Sequence, residues 1–157
     1  MTHQELKEAV KTAMKERAQV KLTVLRGLMS SATNELVAKG RKPDEMLSEE
    51  ELLSVTTRAA KQRKDSIEQF SKGGRDDLVA SEKEELAVLE SLLPPQMSVE
   101  EIEAAVKAKA AEMGVDPSTP LGAGKSGANK LMGVLMKELK GRADGTLVKA
   151  AVDRIFS

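Results

Sequence analysis

The stretch SLLPPQMSVEE, residues 91–101, decides how the chain is divided. Pro94 and Pro95 lack the backbone donor that a helix needs, and each restricts the residue before it. A helix marked by Leu86, Leu89 and Leu93 therefore stops there. Ser98 and Glu101 then have the spacing of a capping box, in which serine accepts from the third amide and glutamate reaches back to the serine amide. The spacing predicts one helix ending and another beginning on either side of Pro94-Pro95-Gln96-Met97. That short segment is read as a domain boundary, with one domain over residues 1–95 and another over 96–157.

Upstream, helical periodicity runs almost without interruption. Thr2 and Glu5 form a possible capping box. Leu6, Val10, Ala13 and Arg17 follow a four-three-four spacing. Leu22, Leu25, Met29, Ala32 and Leu36 make a second stripe suited to packing against another helix, and Lys39-Gly40 supplies a stop. After a short loop through Pro43, Ser48 and Glu51 make another capping box, with Glu49 and Glu50 favourable at the positive helix end. That long helix should end at Gly73-Gly74, and Arg75-Asp76-Asp77 restarts the chain.

Downstream, Ile102, Val106 and Met113 give one face of a fifth helix that Gly114 closes. Residues from Asp116 to Gly124 are rich in Pro, Gly, Ser and Thr and read as a loop. A sixth helix runs to about Lys140 and a seventh from about Asp144 to Phe156. No alternating pattern of strand length is present. The fold expected is all-α, with an N-terminal bundle of about four helices followed by a small C-terminal three-helix subdomain.

Composition narrows the function classes. The 157 residues include two Phe and no Trp, Tyr or Cys, and formal net charge is zero. Disulfide and thiol chemistry are excluded. No stretch is long and apolar enough to span a bilayer, and the N-terminus lacks an apolar signal core. A soluble cytoplasmic protein without membrane contact is the expectation. His3 reads as an incidental residue in a fraying terminus. The acidic runs Glu49-Glu50-Glu51 and Asp76-Asp77 fit helix starts better than a metal site. Intrinsic catalysis is not expected, and neither is a cofactor.

Gly124-Lys125-Ser126 matches the end of a phosphate-binding loop. The full pattern needs glycine where Thr119 stands, and Pro120 removes a backbone donor. A loop leading into a helix is the better reading. The charge beyond it is more informative. Residues 1–95 carry 16 basic and 17 acidic residues, and residues 96–157 carry 9 and 8. Between Pro117 and Ala150 the basic residues are Lys125, Lys130, Lys137, Lys140, Arg142 and Lys149, against Glu138 and Asp144. On a helix over 126–140, Ala128, Leu131, Met132, Leu135, Met136 and Leu139 share one side. Lys130, Gly133, Lys137 and Lys140 share the other. Such a ridge can contact phosphates through charge, or simply solvate a helix. Gly133 within it permits close backbone approach to a ligand, or marks tolerance on a solvated face. The absence of exposed aromatics argues against single-strand stacking and leaves a folded RNA recognised by shape. Gly141 can take the left-handed position after the sixth helix, Asp144 can cap the seventh, and Gly145 completes the turn.

Two runs resemble the YqeY family. One is Lys61-Gln62-Arg63-Lys64-Asp65-Ser66-Ile67-Glu68-Gln69-Phe70 with Lys72-Gly73-Gly74-Arg75, Asp77-Leu78-Val79, Glu82, Glu85-Leu86 and Leu93-Pro94. The other is Lys130-Leu131-Met132-Gly133-Val134-Leu135-Met136 with Lys140-Gly141-Arg142-Ala143-Asp144-Gly145. Asn129 stands where the family pattern has glycine. The family is similar to the tail domain of GatB, a subunit of the tRNA-dependent amidotransferase. The resemblance implies two helical subdomains and a tail that engages the tRNA body, without the amidotransferase's catalytic parts. It implies a tRNA partner rather than DNA, and association with glutamine-dependent carbon–nitrogen ligation on misacylated tRNA. The alternative is a protein-interaction module that docks an amidotransferase or an aminoacyl-tRNA synthetase. Lys130, Gly133, Lys140, Arg142, Gly141, Asp144 and Gly145 match the family motif. Lys125 and Lys137 enter the candidate RNA-binding set through local charge alone.

Overall fold

The computed structural model describes residues 1–116 and 125–156, except the side chains of Lys125 and Ser126. Seven helices account for the regular structure and no strand occurs among the described residues, so the fold is all-α. They are α1 (His3–Lys15), α2 (Gln19–Ala38), α3 (Glu49–Lys72), α4 (Asp76–Leu92), α5 (Val99–Glu112), α6 (Lys125–Glu138) and α7 (Gly145–Ile155). The chain forms two compact units, Met1–Pro94 and Pro95–Ser157. Most of the loop read over Asp116 to Gly124, and the phosphate-loop fragment with Thr119 and Pro120, lie outside the described residues.

In the first unit α1–α4 bury an aliphatic core that includes Leu6, Leu25, Leu28, Leu36, Leu52 and Leu89. Both sides of the capping box form at Thr2 and Glu5 and again at Ser48 and Glu51. Glu51 does more than cap. It also ion-pairs Lys39 at 2.7 Å and Arg41 at 3.0 Å. The Lys39 hydrogen bond and the Ser48 amide together hold its carboxyl down at about 2.

Arg17 departs from the expected stripe. It does not continue a helical face but ends α1, at φ 54. Its amide donates to the Met14 carbonyl, and the Ala18 amide donates to the Ala13 carbonyl. That is the Schellman arrangement, which normally uses glycine because a Cβ is strained in the left-handed region. Gly40, Gly74 and Gly114 fill the same position after α2, α3 and α5.

His3 is also not a frayed residue. Its side chain is only 4% exposed, and Nδ1 accepts from the Leu47 amide at 3.1 Å. The ring thus ties the first turn of α1 to the segment before α3. Burial first, and the charge of Lys7 second, hold its pKa below the ordinary value. Protonation would also fill the Nδ1 lone pair that Leu47 uses. The unfolded chain therefore takes up the proton before the folded one does. Stability is complete above about pH 6.5, the ordinary histidine value, and falls as pH drops below it. The expected slope is at most about 1.4 kcal/mol per pH unit for one group. Thermal melts between about pH 7.5 and 5.5 measure it, and the slope should flatten in His3→Gln.

In the second unit α5, α6 and α7 enclose Ile102, Val106, Leu131, Leu135, Val148 and Phe156. The capping box at Ser98 and Glu101 is complete. Asp144 caps α7, its Oδ1 accepting from the Thr146 amide at 2.7 Å.

Candidate nucleic-acid interface

Helix α6 is split lengthwise. Ala128, Leu131 and Leu135 are buried, with Leu139 continuing the line in the turn beyond. That spacing follows one face of a 3.6-residue helix. Lys130, Gly133 and Lys137 are exposed on the other face. Lys140 and Arg142, also exposed, continue the basic residues through the turn that joins α6 to α7. Lys125 is the first residue of α6, and its side chain is outside the described set. Met136 does not join the core as its spacing suggests. It is 45% exposed. Its side chain instead lies over Gly145, where an added Cβ would meet the Met136 methyl at 2.7 Å.

The acid of this segment is already matched. Lys109 on α5 pairs with Glu138 at 2.8 Å and with Glu112 at 2.8 Å. Those hydrogen bonds raise the Lys109 pKa, Glu112 first and Glu138 second. Asp144 caps α7. Among the described residues, the side chains of Lys130, Lys137 and Arg142 enter no ion pair. The charge of Lys130, Lys137 and Arg142 is therefore left for an external anion.

The turn itself is pinned from a distance in sequence. Gly141 is buried at φ 77, as the left-handed position after α6 requires. The Gln96 side-chain amide donates to its carbonyl at 2.7 Å. The Met97 amide donates to the Arg142 carbonyl at 2.8 Å. The Arg142 and Ala143 amides both donate to the Leu139 carbonyl. Arg142 thus presents an exposed guanidinium from a backbone held on both sides. In the sequence, Gln96 and Met97 stand only at the boundary between the two domains. Two residues after a proline pair, with partners some 45 positions away, they carry no local signal of this clamp.

Gly133 meets no atom within 4 Å of an added Cβ. Packing does not require glycine there. Gly133→Ala is expected to raise the stability of the unit by about 0.5–1 kcal/mol, since a mid-helix glycine costs that much relative to alanine. Urea denaturation followed by circular dichroism checks it.

A family model described as "Yqey-like protein" matches residues 3–156. Curated relatives are fungal proteins named "Altered inheritance of mitochondria protein 41, mitochondrial". That of Lachancea thermotolerans is 33% identical over 155 residues, covering 96% of this chain and 79% of the relative. That of Kluyveromyces lactis is 36% identical over 104 residues, covering 64% of this chain and 54% of the relative. That of Vanderwaltozyma polyspora is 34% identical over 105 residues, covering 65% and 55%. The chain thus spans about four-fifths of the first relative and about half of the other two. These mitochondrial relatives overturn the expectation of a cytoplasmic protein. The physical reason is that composition and a missing apolar run report on membrane insertion, not on compartment.

Proposed function

The chain belongs to the YqeY family, and on that premise we propose that it is a non-catalytic protein that binds tRNA. Its work would be associated with glutamine-dependent amidation of misacylated tRNA, the reaction of the amidotransferase whose tail domain the family resembles. One observation carries the proposal. Lys130, Lys137 and Arg142 are exposed and enter no ion pair among the described residues, while Glu138 of the same helix is already paired with Lys109. Phosphate contacts made this way position a folded RNA and read its shape, not its sequence. Lys130, Lys137, Lys140 and Arg142 supply the charge, and Gly133 lets a sugar–phosphate backbone approach the helix. The helix-stabilising Gly133→Ala should accordingly weaken binding.

The test is fluorescence anisotropy of labelled tRNA with the native chain at roughly 50 and 200 mM salt, because released counterions make phosphate binding steeply salt-dependent. Binding that weakens at least tenfold across that range, about one decade or more, supports the proposal. No binding at the lower salt, or binding indifferent to salt, contradicts it.

A second reading rests on Met136 and Leu147, which are 45% and 44% exposed. Apolar side chains left open beside a basic turn suit docking to a protein such as the amidotransferase or a synthetase. Docking of that kind would persist at higher salt.

A further inference from the structure

We propose that the α1–α2 hairpin of the first unit is a second phosphate-binding surface for the same RNA, formed by Lys15, Arg17, Lys21 and Arg26. This rests on the tRNA-binding reading above.

Summed over the first unit, charge nearly cancels, which hides how it is distributed. Residues 1–26 hold six basic residues, Lys7, Lys11, Lys15, Arg17, Lys21 and Arg26, against Glu5, Glu8 and Glu16. Residues 27–94 hold ten basic and fourteen acidic residues. The unit is therefore polarised along its sequence, positive at the hairpin and negative over the rest.

Pairing sharpens the contrast. Cations elsewhere in the unit are largely neutralised. Arg58 pairs with Glu35 at 3.1 Å, Arg63 with Glu82 at 3.0 Å and Glu85 at 2.6 Å, and Lys64 with Glu90 at 3.2 Å. Arg75 pairs with Asp77 at 3.1 Å. At the hairpin, Lys11 pairs with Glu8, and Lys15 lies within electrostatic reach of the same carboxylate. Arg17, Lys21 and Arg26 form no ion pair and no side-chain hydrogen bond among the described residues. All of Lys15, Arg17, Lys21 and Arg26 are exposed. No acid stands in the first turn of α2 to offset Lys21. Uncompensated cations at the turn of the hairpin, with Arg26 about two helical turns further along α2, create a local positive potential whatever the net charge of the protein. A phosphate backbone is the complementary partner, through the same charge-driven contacts proposed for α6.

Arg17 makes the proposal separable from simple loss of fold. Its backbone sits where glycine would be relaxed, so Arg17→Gly removes a charge while relieving strain. The experiment uses the full chain and labelled tRNA. Arg17→Gly is expected to raise Tm by about 4 °C and yet weaken tRNA binding. The triple variant Arg17→Gly, Lys21→Gln, Arg26→Gln should reduce the slope of log affinity against log salt by about 2–3, roughly 0.9 per lost phosphate contact, and weaken binding on the order of tenfold or more. Lys61→Gln with Lys83→Gln, which removes exposed charges from the acidic part of the unit, should leave the slope unchanged. If the native chain binds tRNA and the triple variant binds with the same affinity and slope, the hairpin proposal is overturned and the α6 reading stands. An equal loss in the Lys61/Lys83 variant overturns it as well, since the effect would then follow net charge. If the native chain does not bind tRNA at all, the functional reading fails and this proposal falls with it.

Discussion

Reversing Lys130, Lys137, Lys140 and Arg142 together to glutamate is expected to abolish tRNA binding at moderate salt. Each lost phosphate contact takes about 0.9 from the slope of log affinity against log salt. Four contacts would remove roughly 3–4 of that slope, and the introduced acids would add repulsion. The loss in affinity should exceed about a hundredfold near physiological salt. Exposure makes the variant a fair test. Lys130, Lys137, Lys140 and Arg142 are all on the surface, and the buried line of α6 runs through Leu131 and Leu135 instead. Surface substitutions away from caps and cores usually change stability by no more than about 0.5 kcal/mol each. Circular dichroism should therefore show an intact helical protein. Anisotropy titration at several salt concentrations measures the effect. Unchanged affinity in a folded variant would remove α6 from the interface.

The opposite face should respond in the opposite way. Leu135→Ala is expected to destabilise the second unit by about 2–5 kcal/mol, the usual range for truncating a buried leucine and leaving a cavity. Leu135 is 1% exposed and belongs to the core with Ile102, Val106, Leu131 and Val148. For a unit spanning Pro95–Ser157, total stability is on the order of 3–9 kcal/mol at typical values per residue. One such truncation removes a large share of it. Hydrogen exchange should show amides of α5, α6 and α7 losing protection together. Lys137→Ala, two residues on and exposed, should leave that protection unchanged. A Leu135→Ala protein as stable as the native one would mean that α6 is not held by this core.

Much of the fold was readable because its signals are local. The three capping boxes at Thr2, Ser48 and Ser98 need only a residue and its neighbour three positions on, and all three form. Gly40, Gly74 and Gly114 end helices where their lack of a Cβ is useful. Arg17 escaped because the turn it makes carries no glycine, and its spacing happened to extend the stripe of α1. His3 escaped because its burial depends on Leu47, 44 positions away. Met136 fits the apolar spacing of α6, but it covers Gly145 in the turn and stays half exposed. The exposed positions of Lys130, Gly133 and Lys137 follow from helical periodicity. The Gln96 and Met97 clamp on Gly141 and Arg142 does not, because it joins segments far apart in the chain. Compartment was misread, since nothing in core packing or charge encodes it.

The most direct measurement is amide chemical-shift mapping of the isotope-labelled chain titrated with tRNA at low salt. The account predicts that the largest shifts cluster at Lys130, Gly133 and Lys137 and through Lys140 to Arg142, and that they retreat as salt is added. Shifts confined to the apolar positions around Met136 and Leu147, or no shifts at all, would contradict it.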